Sequence, residues 1–253
     1  MTRMRFPARD PETPMHKQTL AERPDGVPVK DATEIPRDVV EAGVTIGLRP
    51  RQRLSMSIDE EMVYVVTAGV LLLDSLPSPS GRQIVDLFYR GDVVRPKYAP
   101  LLPGMNLIAS TRAEVVRIPW RKLEALSDAS PVLREWLDRQ LSRQAQRRLA
   151  HIAAIGVLTG EERLATLLIE LALRVGEAGF EDSRSFDMAL SRTDMADYLS
   201  LNADTLSRIM SRLRQQGVVG TSGRGRAYTS NFKALCARSP VAETIKSLHA
   251  RTV

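Results

Sequence analysis

The hydrophobic period changes sharply at Ser130-Pro131, and that change limits the architectures open to the chain. Before it, from about Pro36 to Pro119, apolar residues come in short runs: Met62-Val63-Tyr64-Val65-Val66, Val70-Leu71-Leu72-Leu73 and Ile84-Val85-Asp86-Leu87-Phe88-Tyr89. Gly69, Pro77–Gly81 and Gly91-Asp92 separate them, as turns separate strands. Ala113-Glu114-Val115-Val116-Arg117-Ile118 alternates polar and apolar, the pattern of a half-buried strand. Short strands so spaced predict a small sandwich or barrel over residues 36–126. After the change, Leu133, Trp136, Leu137, Leu141, Ala145, Leu149 and Ile152 recur at spacings of three and four. With Ser130 as N-cap and Pro131 at the first helical position, they predict a helix to about Ile155, roughly 40 Å long. Its apolar stripe suits either the β-domain or a second copy of the chain across a two-fold axis, and periodicity alone does not choose.

Thr159-Gly160-Glu161-Glu162 has the spacing of a capping box, so a helix is expected through Leu164, Leu167, Leu168, Leu171 and Leu173, ending near Gly176. Ser191 and Asp194 repeat that spacing and predict a short helix over 192–199. Ser200-Leu201-Asn202 is a tight break, with Asn202 a suitable N-cap for a second helix from Ala203 to Gln216 that Gly217 ends. Leu206, Ile209, Met210 and Leu213 form its buried face, which Met195, Ala196 and Leu199 can meet: a helix-turn-helix. Val218–Thr229 then reads as strand, glycine-arginine tip and strand, a wing carrying Arg224 and Arg226.

Charge supports that reading. The chain carries a formal net charge of +6, and residues 191–253 hold ten basic and four acidic residues, so all the excess lies there. A basic module on a neutral body suits a polyanion partner. The exposed face of the second helix offers Asp204, Ser207 and Arg208, side chains able to read base edges in a major groove. Arg192, Asn202, Thr205, Arg212, Arg224 and Arg226 are placed for the phosphate backbone.

Residues 186–215 resemble the DNA-binding signature of the Crp/Fnr regulators, above all in Arg192-Thr193-Asp194-Met195-Ala196-Asp197-Tyr198-Leu199 and Asp204-Thr205-Leu206-Ser207-Arg208. The likeness extends from about residue 40, with Gly69, Gly81-Arg82 and Gly91-Asp92 where that family turns its β-roll. It implies an α+β chain: an N-terminal β-roll (a jelly roll like that of cyclic-nucleotide-binding domains), a long dimerisation helix and a C-terminal winged helix-turn-helix. The expected divisions are a mobile arm at 1–35, the β-roll at 36–126, the dimerisation helix at 127–157, the DNA-binding domain at 158–235 and a tail at 236–253. It also implies a homodimer on palindromic promoter DNA, in contact with RNA polymerase, with Leu133, Trp136, Leu137, Leu141, Ala145, Leu149 and Ile152 at the dimer interface. Asp204, Ser207 and Arg208 fall on the three base-reading positions, and the Ser-Arg pair resembles the Fnr-like branch, whose half-sites are TTGA-like. Asp204 stands where the family has glutamate, a side chain one methylene longer. Ser200 and Asn202 stand where glycine and threonine are common.

The sensor half departs from cyclic-nucleotide binders, which carry an Arg-Ser/Thr-Ala clamp for the phosphate. Those positions fall near Pro103 and Gly104, so cyclic AMP is disfavoured. Arg95 and Lys97 are candidates for another anion site, though solvated surface charges are the expected reading. The single cysteine, Cys236, excludes an Fnr-type iron–sulfur cluster within one chain and is expected to be a small buried hydrophobe. Haem is unexpected, since His16 lies in the arm and His151 on the long helix, where a surface or interface histidine is the expected role.

Gly-x-Ser-x-Gly, Walker, His-Glu-x-x-His and Cys-x-x-Cys motifs are all missing, so an enzyme is not expected. The first twenty residues hold no apolar core of signal-peptide length, and no stretch approaches the roughly 18–20 apolar residues of a membrane span. The expected compartment is the cytoplasm. The rival class, a cytoplasmic ligand-binding module acting on a protein partner, leaves the basic helix pair unexplained.

Overall fold

The computed structural model describes residues 34–54, 61–78, 81–98, 104–222 and 225–249. Most of the expected N-terminal arm, His16 and Arg224 lie outside the described residues. A short helix α1 (Arg37–Ala42) leads into two facing four-stranded antiparallel sheets. The first has β1 (Val44–Leu48), β8 (Ala113–Pro119), β3 (Met62–Ala68) and β6 (Val93–Val94) in that order. The second has β2 (Arg53–Leu54), β7 (Asn106–Ala109), β4 (Leu71–Ser78) and β5 (Gly81–Phe88). Together they make the expected β-roll.

The apolar runs are continuous because both faces of each sheet are covered, which removes the polar side of the alternation. On β3, Tyr64 and Val66 point between the sheets to meet Leu71, Leu73, Phe88 and Val115. Val63 and Val65 point outward to Val39, Leu123, Leu133, Trp136 and Leu137, contributed by helices. On the second sheet Leu72, Ile84 and Leu87 point outward into a core shared with the C-terminal third of the chain.

Helix α2 (Trp120–Ala129) follows β8 directly, and the chain breaks at Ser130 before α3 (Pro131–Val157). Ser130 caps α3, its Oγ accepting from Leu133 N at 3.4 Å, with Pro131 in the first turn. The stripe on α3 divides between the two partners that sequence left open. Leu133, Trp136 and Leu137, at 2%, 7% and 5% exposure, are packed into their own β-roll and are not available to a second copy. That corrects the expectation for these three: α3 begins against the first sheet, and its first two turns complete that sheet's outer core. Leu141, Ala145, Leu149 and Ile152 lie on an exposed stripe, with Leu149 and Ile152 at 67% and 66%.

Helix α4 (Gly160–Arg174) has its capping box formed, with Thr159 and Glu162 bonded reciprocally. The strands β9 (Gly176–Ala178) and β10 (Arg184–Asp187) precede the helix pair α5 (Arg192–Leu199) and α6 (Ala203–Gln215). The wing strands β11 (Gly220–Ser222) and β12 (Arg226–Thr229) extend this third sheet in the order β11-β12-β10-β9. The segment expected to be a tail instead continues the domain: after α7 (Phe232–Cys236), helix α8 (Ala242–His249) buries Ala242 and Ile245 in the shared core.

Candidate nucleic-acid interface

Local chemistry builds the helix pair as the sequence suggested. Ser191 Oγ accepts from Asp194 N at 3.1 Å, and the Asp194 carboxylate accepts from Ser191 N at 3.3 Å, closing the box that starts α5. Asn202 Oδ1 accepts from Asp204 N at 2.8 Å and starts α6. Gly217, at φ 69°, ends it, and Val218 N bonds back to Leu213 O. Ser200, between the helices, is left-handed at φ 51° and ψ 49°, a conformation that costs a residue with a Cβ roughly 1–2 kcal/mol. Its hydroxyl contact to Gln83, at 3.3 Å, is exposed and offsets little of that. Ser200→Gly is therefore expected to raise stability by about 0.5–1 kcal/mol. A thermal melt checks this; a lower midpoint would mean that the Gln83 contact outweighs the strain.

Leu206, Ile209, Met210 and Leu213 are buried, which turns the opposite face of α6 outward. Asp204, Thr205 and Arg208 are exposed and Ser207 is half-buried, so the three base-reading candidates share one accessible surface. Arg192 is exposed at the start of α5. Asn202 spends its side-chain oxygen on the cap, leaving only its amide nitrogen for a backbone contact. Arg226, at the base of the wing, donates to Ser185 Oγ at 3.4 Å and makes long ion pairs, to Asp187 at 3.5 Å and Glu177 at 3.8 Å.

Arg212 is exposed but already carries a partner. Its guanidinium pairs with Glu161 at 3.1 Å, and the same carboxylate group holds Arg238 at 3.1 Å. It ties α6 to α4 and α7. Arg214, two residues on, instead lines a groove between α6 and the wing together with Arg192 and Arg226. Sequence reasoning passed over Arg214, and its only signal was the seven-residue spacing from Ser207, which keeps both on one face.

The module is fastened to the β-roll by charge. Arg82 on β5 donates to Asp74 at 2.7 Å and to Asp194 and Asp197 at 2.8 Å each. Arg51 reaches Asp194 at 2.8 Å. Burial would raise the Asp194 carboxyl, but hydrogen bonds from Arg51, Ser191 and Arg82 outweigh it and hold the group below the usual 3.8. Ser110 Oγ also donates to the Ala189 carbonyl.

A second polar cluster joins sensor, long helix and DNA-binding module. Asp92, fully buried, accepts from Arg147 at 3.0 and 2.5 Å, from Arg174 at 3.4 Å and from Tyr89 N at 2.8 Å. Beside it His151 on α3 stacks on Tyr198 of α5, centroids 3.9 Å apart and planes at 9°. Burial pushes His151 down to about 4, so it is neutral near pH 7. His151 thus sits half-buried, stacked at an internal interface and on the wall of an open cavity.

Of the other sensor candidates, Lys97 is paired with Glu61 and Arg95 lies over the Trp120 ring at 3.4 Å. A cavity of about 770 Å³ opens between β5 and the second half of α3, its wall including Phe88, Val94, Leu141 and Ile152. Cys236 is half-buried at the end of α7, and burial pushes its thiol up. No helix among the described residues is long and apolar enough to cross a membrane.

Residues 162–238 match the family model of the Crp-like helix-turn-helix domain. The transcriptional activator protein Anr of Pseudomonas aeruginosa is 29% identical over 169 residues, which cover 64% of this chain and 66% of Anr, just under two thirds of its length. The nitrogen fixation regulation protein FixK of Azorhizobium caulinodans is 28% identical over 231 residues, 90% of this chain and 92% of that one. Among solved structures, FixK2 from Bradyrhizobium japonicum superposes with a TM-score of 0.66 at 25% identity, over 78% of this chain and 97% of its own.

Proposed function

The chain belongs to the Crp/Fnr family of transcription regulators, and on that premise we propose that it binds palindromic, TTGA-like promoter sites as a homodimer and acts through RNA polymerase. The observation that carries this reading is the shared exposed surface of Asp204, Ser207 and Arg208 on a helix whose other face is buried. In it, α6 enters the major groove, Arg208 makes a bidentate contact to guanine, and Asp204 accepts from a cytosine amine. Arg192, Thr205 and Arg226, with Arg224 of the wing tip, contact phosphates and fix register. The exposed stripe Leu141, Ala145, Leu149 and Ile152 meets its copy, which sets two recognition helices on half-sites about one helical turn apart. A promoter-binding role places the protein in the cytoplasm and gives it no catalytic step.

Cyclic AMP is no part of this reading. The positions of the family's phosphate clamp fall near Pro103 and Gly104, neither of which can hold a cyclic phosphate as the clamp's arginine and hydroxyl would. No cofactor is invoked. Arg208→Ala is expected to cost roughly 1–3 kcal/mol in binding and to relax preference at one base pair. Anisotropy titrations against duplexes substituted at each half-site position check this; equal losses at every position would remove Arg208 from base reading.

A further inference from the structure

The groove between α6 and the wing concentrates positive charge to which sequence reasoning gave only part of a role. It encloses about 410 Å³, and three guanidinium side chains line it from three elements: Arg192 at the start of α5, Arg214 near the end of α6 and Arg226 at the start of β12. The hydroxyl residues Ser191, Ser207 and Thr221 also line it, its remaining wall is mainly methionine and leucine, and none of its lining residues is acidic. Among the described residues Arg226 has only long ion pairs at the rim, to Asp187 at 3.5 Å and Glu177 at 3.8 Å, so an anion entering the concavity would meet all three guanidinium groups, and the apolar wall strengthens whatever pairing forms there. Arg214 Nε is buried and has no hydrogen-bond acceptor among the described residues. A buried N–H is ordinarily paired, so an incoming oxygen would fill a gap that the fold leaves open.

The groove's position suits one anion in particular. Ser207 lies both at its edge and on the base-reading face of α6. From Ser207 to Arg214 the helix rises about 10 Å, or about three base-pair steps along a DNA strand. We propose that the groove seats one backbone phosphate of the bound DNA, with Arg214 as its innermost contact and Arg192 and Arg226 at its rim. This rests on the DNA-binding reading above and adds to it a residue that supplies affinity without sequence preference. Arg212, the neighbour expected from sequence to contact the backbone, is paired with Glu161.

The test uses the full-length protein, a labelled duplex with a TTGA-type inverted repeat, a scrambled duplex of equal length and a salt series. Arg214→Gln is expected to weaken binding to both duplexes by the same factor. It should make the slope of log affinity against log salt shallower by about 1 for each domain bound. Arg214→Lys, which restores the charge, should restore the slope; it also stands in if the glutamine variant melts below the parent. A parent-like slope in Arg214→Gln would make Arg214 a packing residue, and a loss confined to one base position would make it a base reader; either result overturns the proposal. The parent separates this failure from that of the wider reading. A steep parent slope with an unchanged variant sinks the groove alone, whereas a parent without salt-dependent binding sinks the DNA-binding reading and the groove with it.

Discussion

Asp92→Asn is expected to cost about 3–5 kcal/mol of folding stability, the usual penalty for leaving buried charge without its partner. Asp92 is wholly inaccessible, and the arginines it holds have side chains only 7% and 8% exposed. Burial by itself disfavours both guanidinium groups. For Arg147 the Asp92 carboxylate outweighs that effect and holds the group above its ordinary value, whereas Arg174 remains pushed below it. Asparagine keeps the shape and can still accept from Tyr89 N, so the loss isolates the charge. A loss of this size is a large share of the total stability of an ordinary domain, about 5–15 kcal/mol. Denaturant titration reads it directly, and an unchanged midpoint would mean that Asp92 does not hold the pair. Arg147→Met in the Asp92→Asn background should recover part of the loss, because an apolar side chain needs no counter-ion there. The triad spans the β-roll, α3 and α4, so a partial unfolding should be felt in both halves of the chain.

The second large effect lies on α3. Leu149→Glu with Ile152→Glu should convert a dimer to monomers in sedimentation and weaken binding to a palindromic duplex by roughly 10²–10⁴-fold, through loss of the second half-site. Both side chains are about two-thirds exposed, so glutamate there should leave the fold of one chain intact. The spacings of four, four and three along Leu141, Ala145, Leu149 and Ile152 keep the four on one face of α3. A double variant that sediments like the parent would place the dimer contact elsewhere.

The helix-turn-helix was legible because its signals are local. Ser191, Asp194, Asn202 and Gly217 each act within a few residues of themselves, and all four do what their spacing suggested. The long helix was legible in length but not in allegiance. Periodicity reports that a stripe is buried without naming the partner, and here Leu133–Leu137 and Leu141–Ile152 take different ones. The strands β2 and β6, two residues each, are too short to show a period and exist through their neighbours' hydrogen bonds. Arg212 and Arg214 show the same limit at the site. Both are polar positions on α6, and only the packing of α4 on one side and the wing on the other decides which arginine is neutralised. Helix α8 was missed because its burial depends on a surface that α4 supplies.

The most direct test of the central claim is a competition titration of the full-length parent at physiological salt, on a duplex with a TTGA-type inverted repeat and on its scrambled counterpart. Recognition through Asp204, Ser207 and Arg208 predicts one dimer per repeat and a preference of about 10³-fold or more over the scrambled duplex. Equal affinity for the two duplexes, or binding to neither, would contradict it.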